Sequence, residues 1–274
     1  MLWINFLHLY QPANAEAKNI LEATEKSYLR IIRAIEEHPK IKFTLNITGC
    51  LFLRWDELGY HDLISKIKNL IKNKQLELTG SSAYHHLLPL IPEKEIYKQI
   101  LENEKILEKY LNLEKPQGFF LPEMAYSEKV GNIIHKAGYE WLILDEITTQ
   151  NTENQKLHEC ENTGLKIISR SRQISNTYVP KTILEILKNN KNKDQEEIIT
   201  ATDAELYGLR YIDHTANFEE LLKNPNLKTK TISEFLNYQN KNLPKTKLQN
   251  SSWESNSDEI KSKNSYPLWQ DKKK

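Results

Sequence analysis

The sequence contains few of the residues that mark disulfide-rich, metal-binding or nucleotide-binding proteins. Among its 274 residues are two cysteines, Cys50 and Cys160, and their spacing matches neither a disulfide framework nor a thiolate metal site. No G-x-G-x-x-G or phosphate-loop pattern follows a strand-like run, so nucleotide binding is not favoured. We therefore expect no metal and no other cofactor, and the sparse cysteines fit a reducing, cytoplasmic setting best.

An excess of one charge and long apolar runs are lacking too. The formal net charge is +1, which gives no support for a nucleic acid or an anionic membrane as the partner. The apolar run from Met1 to His8 lacks a basic leader and is too short for a signal peptide or a membrane span. We interpret this run as the first strand of a globular domain, for which 39% hydrophobic residues provide a sizeable core.

What the chain does contain is a regular alternation of strand-like and helix-like segments. Between the strand-like runs, apolar residues recur at helical spacing, as in Ile20, Tyr28, Ile31 and Ile35 ahead of Pro39. The alternation predicts a parallel α/β barrel, with an open doubly wound sheet as the structural alternative. Seven runs have the length and composition of buried parallel strands: Leu2 to Leu7, Lys42 to Ile47, Leu76 to Thr79, Gly118 to Leu121, Glu140 to Leu144, Leu165 to Ser169 and Glu197 to Thr202.

Two of the predicted strands lead into a carboxylate, Glu123 after the fourth and Asp203 after the seventh. In a parallel barrel the carboxyl ends of the strands meet at one mouth, where active sites lie. Other strands deliver polar clusters to the same mouth, at His8 to Gln11, His85 to His86 and Asp145 to Glu146. Because acid-assisted cleavage of an acetal needs two carboxylates, a sugar-processing enzyme is the first hypothesis.

Five segments follow one another in order along the chain, most of them at the ends of predicted strands. They are His8-Leu9-Tyr10-Gln11-Pro12, His85-His86-Leu87-Leu88-Pro89-Leu90, Phe120-Leu121-Pro122-Glu123-Met124-Ala125-Tyr126, Asp203-Ala204-Glu205-Leu206-Tyr207-Gly208, and Ser252-Trp253 with Tyr266-Pro267-Leu268-Trp269. Together they resemble the five signature regions of the catalytic domain of glycoside hydrolase family 57. One such segment alone would be a weak signal, but five in order are specific.

The resemblance implies an incomplete parallel (β/α)7 barrel, which we assign to residues 1–236, acting on α-glucans with retention of anomeric configuration. Family members include α-amylases, amylopullulanases, 4-α-glucanotransferases, branching enzymes and α-galactosidases. Carried over by motif, Glu123 would be the nucleophile and Asp203 the general acid/base. A retaining mechanism independently requires two such carboxylates about 5–5.5 Å apart. We therefore expect Glu123 and Asp203 to face each other across the barrel mouth.

Nine further residues are expected to position the α-glucan or oligosaccharide substrate. His8 is expected to point into the barrel and bond sugar hydroxyls, with a core histidine bonded to backbone as the alternative. Glu205 is expected to bind hydroxyls or to act electrostatically on Asp203, with capping of the next helix as the alternative. The aromatic residues offer faces for a pyranose, although the same pattern is typical of core packing. The set is His8, Tyr10, Gln11, His85, Phe120, Glu205, Tyr207, His214 and Trp253.

Three differences from the family pattern concern specificity. Tyr10 stands where the first region usually has histidine, and Phe120 stands where the third region commonly has tryptophan. The usual acidic residue of the second region is not evident. These differences leave the carboxylate pair in place and the exact sugar and linkage open.

Residues 237–274 form a polar C-terminal segment. The segment is rich in Lys, Asn and Ser, including Gln239-Asn240-Lys241-Asn242 and Asp271-Lys272-Lys273-Lys274. This composition favours a mobile or weakly packed segment, which could be the start of a truncated helical subdomain. Because family members usually continue into helices that complete the cleft, a partner chain or self-association could cover the apolar surface left there.

Two other classes of protein remain as alternatives. A metal-dependent polysaccharide deacetylase would use ligand types present in His8, His85, His86, Asp145 and Asp203, but it would leave Glu123 without a role. A degenerate, non-catalytic glycan-binding barrel would leave the acidic pair unexplained. Within the glycosidase hypothesis, hydrolysis and transglycosylation share one glycosyl intermediate, so these residues do not separate them.

Overall fold

Seven strands form the wall of an incomplete parallel barrel, as predicted. The structure is a computed structural model that describes residues 1–149, 155–189, 197–239 and 242–270. The wall strands are parallel to their neighbours and follow one another around the barrel in chain order. They are β1 (Leu2–Leu9), β2 (Phe43–Ile47), β3 (Leu76–Leu78), β4 (Gly118–Phe119), β5 (Trp141–Asp145), β7 (Lys166–Arg170) and β8 (Glu197–Asp203).

The wall consists of two sheets that meet at two narrow seams. One sheet has the order β3-β2-β1-β8, and the other contains β7-β5-β4. At the first seam, a single parallel bridge pairs Gly80 with Phe119. At the second, the Ser171 N–H donates to the Ile199 carbonyl at 2.9 Å. The parallel order brings all seven carboxyl ends to one mouth.

Helices cover the outside of the wall and fill the connections between its strands. No helix in the described ranges combines the length and apolar composition that crossing a membrane requires. The helices are α1 (Ala17–Ala23), α2 (Leu29–Glu37), α3 (Gly49–Glu57), α4 (His61–Lys72), α5 (Glu93–Leu111), α6 (Glu128–Lys136), α7 (Arg172–Ser175), α8 (Val179–Asn189), α9 (Asn217–Leu222), α10 (Ile232–Gln239) and α11 (Ser257–Lys261).

Strand alternation separates the barrel interior from the layer beneath the helices. On β1, Ile4 and Phe6 belong to the interior apolar cluster, whereas Trp3 and Leu7 pack in the outer cluster with the helices. Successive side chains of a strand point to opposite faces, so His8 continues the inward row. Helix α10 adds apolar side chains to the interior cluster. The apolar barrel is thus filled below the mouth, and the first polar inward side chain of β1 lies at its carboxyl end.

A π-helical turn, Thr24–Tyr28, joins α1 to α2 and packs against the loop after β8. The Ser27 hydroxyl donates to the Ala204 carbonyl at 2.5 Å. Gly208, at φ 141°, lies so close that an added Cβ would stand 2.1 Å from the Lys26 carbonyl oxygen. A residue with a side chain does not fit there, which explains the glycine that closes the fourth signature segment.

Three short strands were not predicted: β6 (Leu157–Cys160), β9 (Lys228–Thr229) and β10 (Lys245–Thr246). β6 pairs antiparallel with β7, and β10 extends that sheet by pairing with β6. Segments of two to four residues are too short to show a period in the sequence.

Parts of the polar C-terminal segment pack onto the barrel. Ser251, Ser252 and Ser255 are fully buried, and the Tyr266 hydroxyl donates to the Tyr126 carbonyl at 2.5 Å. Helix α11 begins with a capping box formed by its neighbouring side chains. Asn240, Lys241 and residues 271–274 of this segment lie outside the described residues.

Candidate active site

The ends of four strands, β1, β3, β4 and β8, bring predicted site residues together at the mouth. His8 of β1 is in register with Asp203 of β8. The His8 ring stacks on His85, with 4.8 Å between centroids, and His85 Nε2 lies 2.9 Å from Glu123 Oε1. Asp203 and Glu123 both act on the His8 ring electrostatically. The carboxylates that follow β4 and end β8, Glu123 and Asp203, therefore lie around the same pair of histidines.

Glu123 is held from three directions. It lies in the turn Pro122–Met124 with φ 60° and ψ 17°, a left-handed conformation that is uncommon for a residue with a side chain. One carboxylate oxygen meets His85, and the other accepts from the Trp253 indole N–H at 2.8 Å. The Trp253 backbone N–H also donates to the Glu123 carbonyl at 3.0 Å. The backbone and both oxygens are thus fixed before substrate arrives.

Burial controls the charges of this group. Desolvation and, second, the charge of His85 lower the pKa of His8 to about 4. Desolvation and, second, the charge of His86 lower the pKa of His85 to about 3, so both rings are neutral near pH 7. Burial raises the pKa of Glu123, while His8, the Trp253 indole donor and Arg210 act in the opposite direction. Donors and positive charge therefore offset part of the desolvation that an ionised Glu123 suffers.

The hydrogen bonds indicate the tautomers of the two rings. Asn46 directs its amide N–H to Thr79 at 3.3 Å, so its oxygen faces His8 Nδ1 at 2.9 Å and accepts a hydrogen bond from the Nδ1–H. His8 Nε2 is then an acceptor, and this buried atom has no hydrogen-bond partner within the described residues. His85 Nε2 carries a proton and donates to Glu123, because an ionised carboxylate oxygen can only accept. Nε2 is thus the acceptor on the His8 ring and the donor on the His85 ring.

Asp203 ends the inward row of β8. Ile199 and Ala201 belong to the interior cluster, so Asp203, two residues further on, points to the same face. Its Oδ2 accepts from Arg210 Nη1 at 2.8 Å, and the Arg210 side chain is 58% exposed. Asp203 also lines a cavity of about 490 Å³ beside the mouth. Sequence reasoning missed Arg210, whose only signal was a cation seven residues after the carboxylate.

Glu205 does not continue the extended row, because the chain turns after Asp203 into the 3-10 segment Ala204–Tyr207. It is 3% exposed, and one oxygen accepts from the Tyr28 hydroxyl and from Gln11 Nε2, the latter at 3.0 Å. Burial and, second, the charge of Asp203 raise the pKa of Glu205 to about 7. Gln11 and Glu205 therefore bond to each other, and the Glu205 carboxylate is buried away from solvent.

The other predicted substrate residues divide into two groups. Tyr10 stacks on His85 with 4.0 Å between centroids, next to Glu123. Phe120 is fully buried beneath His8, and Tyr207 is buried against Phe218. His214 lies in an exposed turn before α9. Phe120 and Tyr207 thus pack in the core and offer no face to a sugar at the mouth, and the structure does not place His214 with the carboxylates.

A buried ion cluster that the sequence did not reveal holds Trp253 in place. Asp145, fully buried at the end of β5, accepts from Arg170 Nε at 2.8 Å and from Arg172 Nε at 3.0 Å. Arg172 also donates to the carbonyls of Trp253 and Ser255, both at 2.7 Å, and Arg170 lies 5.2 Å from the Trp253 ring. The signal was present as two arginines at alternating positions after the sixth predicted strand, but their partners are distant in sequence.

The side chains weighed as ligands of a deacetylase metal are engaged in other ways. Asp145 binds two arginines, Asp203 binds Arg210, and His85 bonds to Glu123. In the part of the chain that the structure describes, no three His, Cys, Asp or Glu side chains converge as metal ligands would.

An incomplete parallel barrel with two carboxylates at its mouth is the architecture of a carbohydrate-active β/α-barrel protein. The chain belongs to glycosyl hydrolase family 57, because the sequence model of that family matches residues 5–249. The match covers nearly the whole barrel and both carboxylates.

Similar proteins agree with this assignment. An alpha-amylase from Pyrococcus horikoshii is 32% identical over 146 residues, and a 4-alpha-glucanotransferase from Thermococcus litoralis is 29% identical over 146 residues. These matches cover 52% of this chain and only 23% and 22% of the two relatives. The matched segment thus spans about a fifth of the length of these curated relatives.

Solved structures show the same fold. The crystal structure of the Thermococcus litoralis 4-alpha-glucanotransferase has a TM-score of 0.79 at 21% identity, covering 92% of this chain and 42% of that one. A family 57 branching enzyme from Thermococcus kodakaraensis also has a TM-score of 0.79, at 15% identity, covering 94% of this chain and 74% of that one.

Proposed function

We propose that this chain is a retaining glycoside hydrolase or transglycosylase acting on α-glucans. The observation that carries the proposal is Glu123, whose two carboxylate oxygens meet N–H donors of His85 and Trp253 at a mouth that also holds Asp203. The names of the relatives, an alpha-amylase and a 4-alpha-glucanotransferase, support the substrate class. Family membership supports the reaction type.

In the first half of the reaction, Asp203 gives a proton to the glycosidic oxygen while Glu123 attacks the anomeric carbon. The bond to the leaving sugar breaks as the bond to Glu123 forms, which produces a covalent glycosyl-enzyme. The two N–H donors orient the Glu123 oxygens toward the reacting carbon. His8 Nε2, a buried acceptor, is suited to bind a hydroxyl of the same sugar.

In the second half, Asp203 takes a proton from the incoming hydroxyl, whose oxygen bonds to the anomeric carbon as Glu123 departs. Water as the incoming group gives hydrolysis, and a sugar gives transfer. Arg210 holds Asp203 from the solvent side through a largely exposed side chain. Such a side chain can swing away when a sugar enters, since its ion pair is only weakly stabilising in water.

Incubation with maltoheptaose followed by separation of the products tests the proposal. Shorter chains with glucose indicate hydrolysis, and chains longer than the substrate indicate transfer. Glu123→Gln is expected to lower either rate at least about a thousandfold, because the amide cannot form the intermediate. The matched control, Glu37→Gln, changes an exposed glutamate of α2 and should leave the rate within about twofold.

Two outcomes would contradict the proposal. One is an active chain whose Glu123→Gln variant turns over maltoheptaose at the rate of the original. The other is binding of maltoheptaose without any turnover, which would favour a glycan-binding barrel.

A further inference from the structure

A cavity of about 490 Å³ opens beside Asp203, and one of its walls is a stacked pair of tyrosines. Its volume lies within the range of about 300–1,000 Å³ that small-molecule sites occupy. Of the two proposed catalytic carboxylates, Asp203 lines this cavity. Trp253 lines it as well and bonds to Glu123, so the cavity adjoins the reacting centre.

The tyrosine pair is held in place before any ligand binds. Tyr178 and Tyr211 stack with 4.0 Å between centroids and 22° between planes. The Tyr178 hydroxyl donates to Asp213 Oδ2 at 2.7 Å. Asp213 has a fully buried side chain that also accepts from Arg30 at 2.9 Å and from the Phe218 N–H at 3.1 Å. Because a fixed ring loses little entropy when a ligand settles on it, this arrangement is suited to binding.

The chemistry of the walls matches one sugar unit. Tyr211 is 38% exposed and packs one face on Tyr178, which leaves ring surface toward the cavity. The apolar C–H face of a pyranose can pack on such a ring. Asn176 and Glu254 also line the cavity and can bond the hydroxyls at the sugar's rim. The wall also carries Arg170 and Asp203, but each is already in an ion pair, with Asp145 and Arg210 respectively. With these charges paired, the aromatic face and its polar neighbours fit a neutral carbohydrate better than an ion.

We propose that this cavity, with Tyr211 and Tyr178 as its platform, binds the glucosyl unit on the leaving-group side of the cleaved bond. The inference rests on the proposed function, in which Asp203 protonates the leaving oxygen. The leaving sugar must therefore lie beside Asp203. In the second half, a sugar in the same cavity gives its hydroxyl proton to Asp203, its oxygen bonds to the anomeric carbon, and the bond to Glu123 breaks. The platform thus selects between a sugar acceptor and water.

The test compares two substrates that differ only on this side. Maltoheptaose places glucosyl units in the cavity, whereas α-maltosyl fluoride releases fluoride and places none there. For Tyr211→Ala, the ratio of kcat/KM for maltoheptaose to kcat/KM for α-maltosyl fluoride is expected to fall about tenfold. Tyr211→Phe, which keeps the ring, should restore the ratio. The matched control is Tyr238→Ala, which removes an exposed tyrosine of α10 that does not line the cavity.

Taking a ratio within one variant cancels any loss of folded protein. An unchanged ratio in Tyr211→Ala, with the original chain active on both substrates, would overturn the subsite and leave the proposed function standing. An original chain that turns over neither substrate would overturn both. A fall in the ratio for Tyr238→Ala equal to that for Tyr211→Ala would also overturn the subsite, because the effect would not depend on the cavity.

Discussion

Glu123 shows what a single side chain contributes at the barrel mouth. Its left-handed backbone costs of the order of 1–3 kcal/mol for a residue that is not glycine. Glycine would adopt this conformation without strain, so a glutamate here is explained by its carboxylate and not by the backbone. The donors His85 and Trp253 meet both oxygens of that carboxylate. The strained turn at this position thus directs a partly buried carboxylate to these two donors.

Replacing Trp253 with phenylalanine keeps a ring but removes the donor to Glu123 Oε2. A hydrogen bond to a charged group contributes about 1.5–3 kcal/mol, so kcat/KM on maltoheptaose should fall about 10- to 100-fold. Because the indole N–H acts against the burial that raises the pKa of Glu123, the acidic limb of the pH profile should move to higher pH. Trp269→Phe, at an exposed tryptophan, is the control. An acidic limb that stays in place would show that the indole does not act on Glu123.

Glu205 makes the stability of the chain depend on pH. Its pKa is raised, from 4.5 to about 7, so the folded chain holds this proton more tightly than the unfolded chain. Its contribution to the free energy of unfolding therefore falls as pH rises through this window, by at most about 1.4 kcal/mol per pH unit. The loss is complete about one pH unit above the folded pKa.

Urea unfolding of the original chain and of Glu205→Gln at several pH values measures this contribution. The amide keeps an oxygen for Tyr28 and Gln11 and does not titrate. The difference in stability between the two proteins should change in favour of the variant from pH 5 to pH 7. Buried histidines titrate in both proteins and cancel in this difference. A difference that is constant with pH would contradict the raised pKa.

Segment 251–255 is attached to the barrel through hydrogen bonds of its backbone. Arg172 binds Asp145 and donates to two carbonyls of the segment, and Tyr126 and Ser251 exchange backbone hydrogen bonds at 2.8 and 3.3 Å. These contacts hold the segment where the Trp253 indole donates to Glu123. Although the C-terminal residues are mostly polar, this part of them packs on the barrel and supplies a donor to Glu123.

Arg172→Gln tests this attachment. The variant loses the ion pair and both carbonyl contacts while Arg170 still pairs with Asp145, so unfolding should become easier by about 1–3 kcal/mol. Activity should fall as it does in Trp253→Phe, since the same bond to Glu123 is loosened. Arg33→Gln, at an exposed pair on α2, should change stability by less than about 0.5 kcal/mol. Normal activity with reduced stability would mean that the segment holds Trp253 without Arg172.

The whole molecule explains which features the sequence could predict. The seven wall strands and the two carboxylates at their ends follow from local patterns, since burial on both faces leaves continuous apolar runs. The contacts that complete the site join residues far apart in the chain: Tyr28 and Glu205 are 177 residues apart, and Glu123 and Trp253 are 130 apart. Such pairs depend on how the barrel closes, and the spacing of apolar residues along the chain carries no information about that. The arginines at Asp145 were missed for this reason. Arg210 is only seven residues from Asp203, and it was missed because a cation at that spacing forms no specific pattern.

Sequence motifs also predicted contacts that the packing does not support, as at Phe120, Tyr207 and Gln11. Each lies in a signature segment, yet the fold buries the first two in apolar clusters and bonds the third to Glu205. Motif membership located these residues near the mouth, but only the packing shows which of them can touch a sugar. The cavity wall of Tyr178 and Tyr211 is the opposite case. It adjoins the mouth, yet Tyr178 belongs to no signature segment.

Trapping the glycosyl-enzyme tests the central claim most directly. With 5-fluoro-α-glucosyl fluoride, the leaving fluoride allows the first step, while the ring fluorine slows release by destabilising the oxocarbenium-like transition state. Peptide mass spectrometry of the trapped chain is predicted to find one fluoroglucosyl group on the peptide that contains Glu123, attached to its carboxylate. A label on Asp203 or Glu205, or turnover of the reagent with inverted configuration, would contradict the assignment of Glu123 as nucleophile.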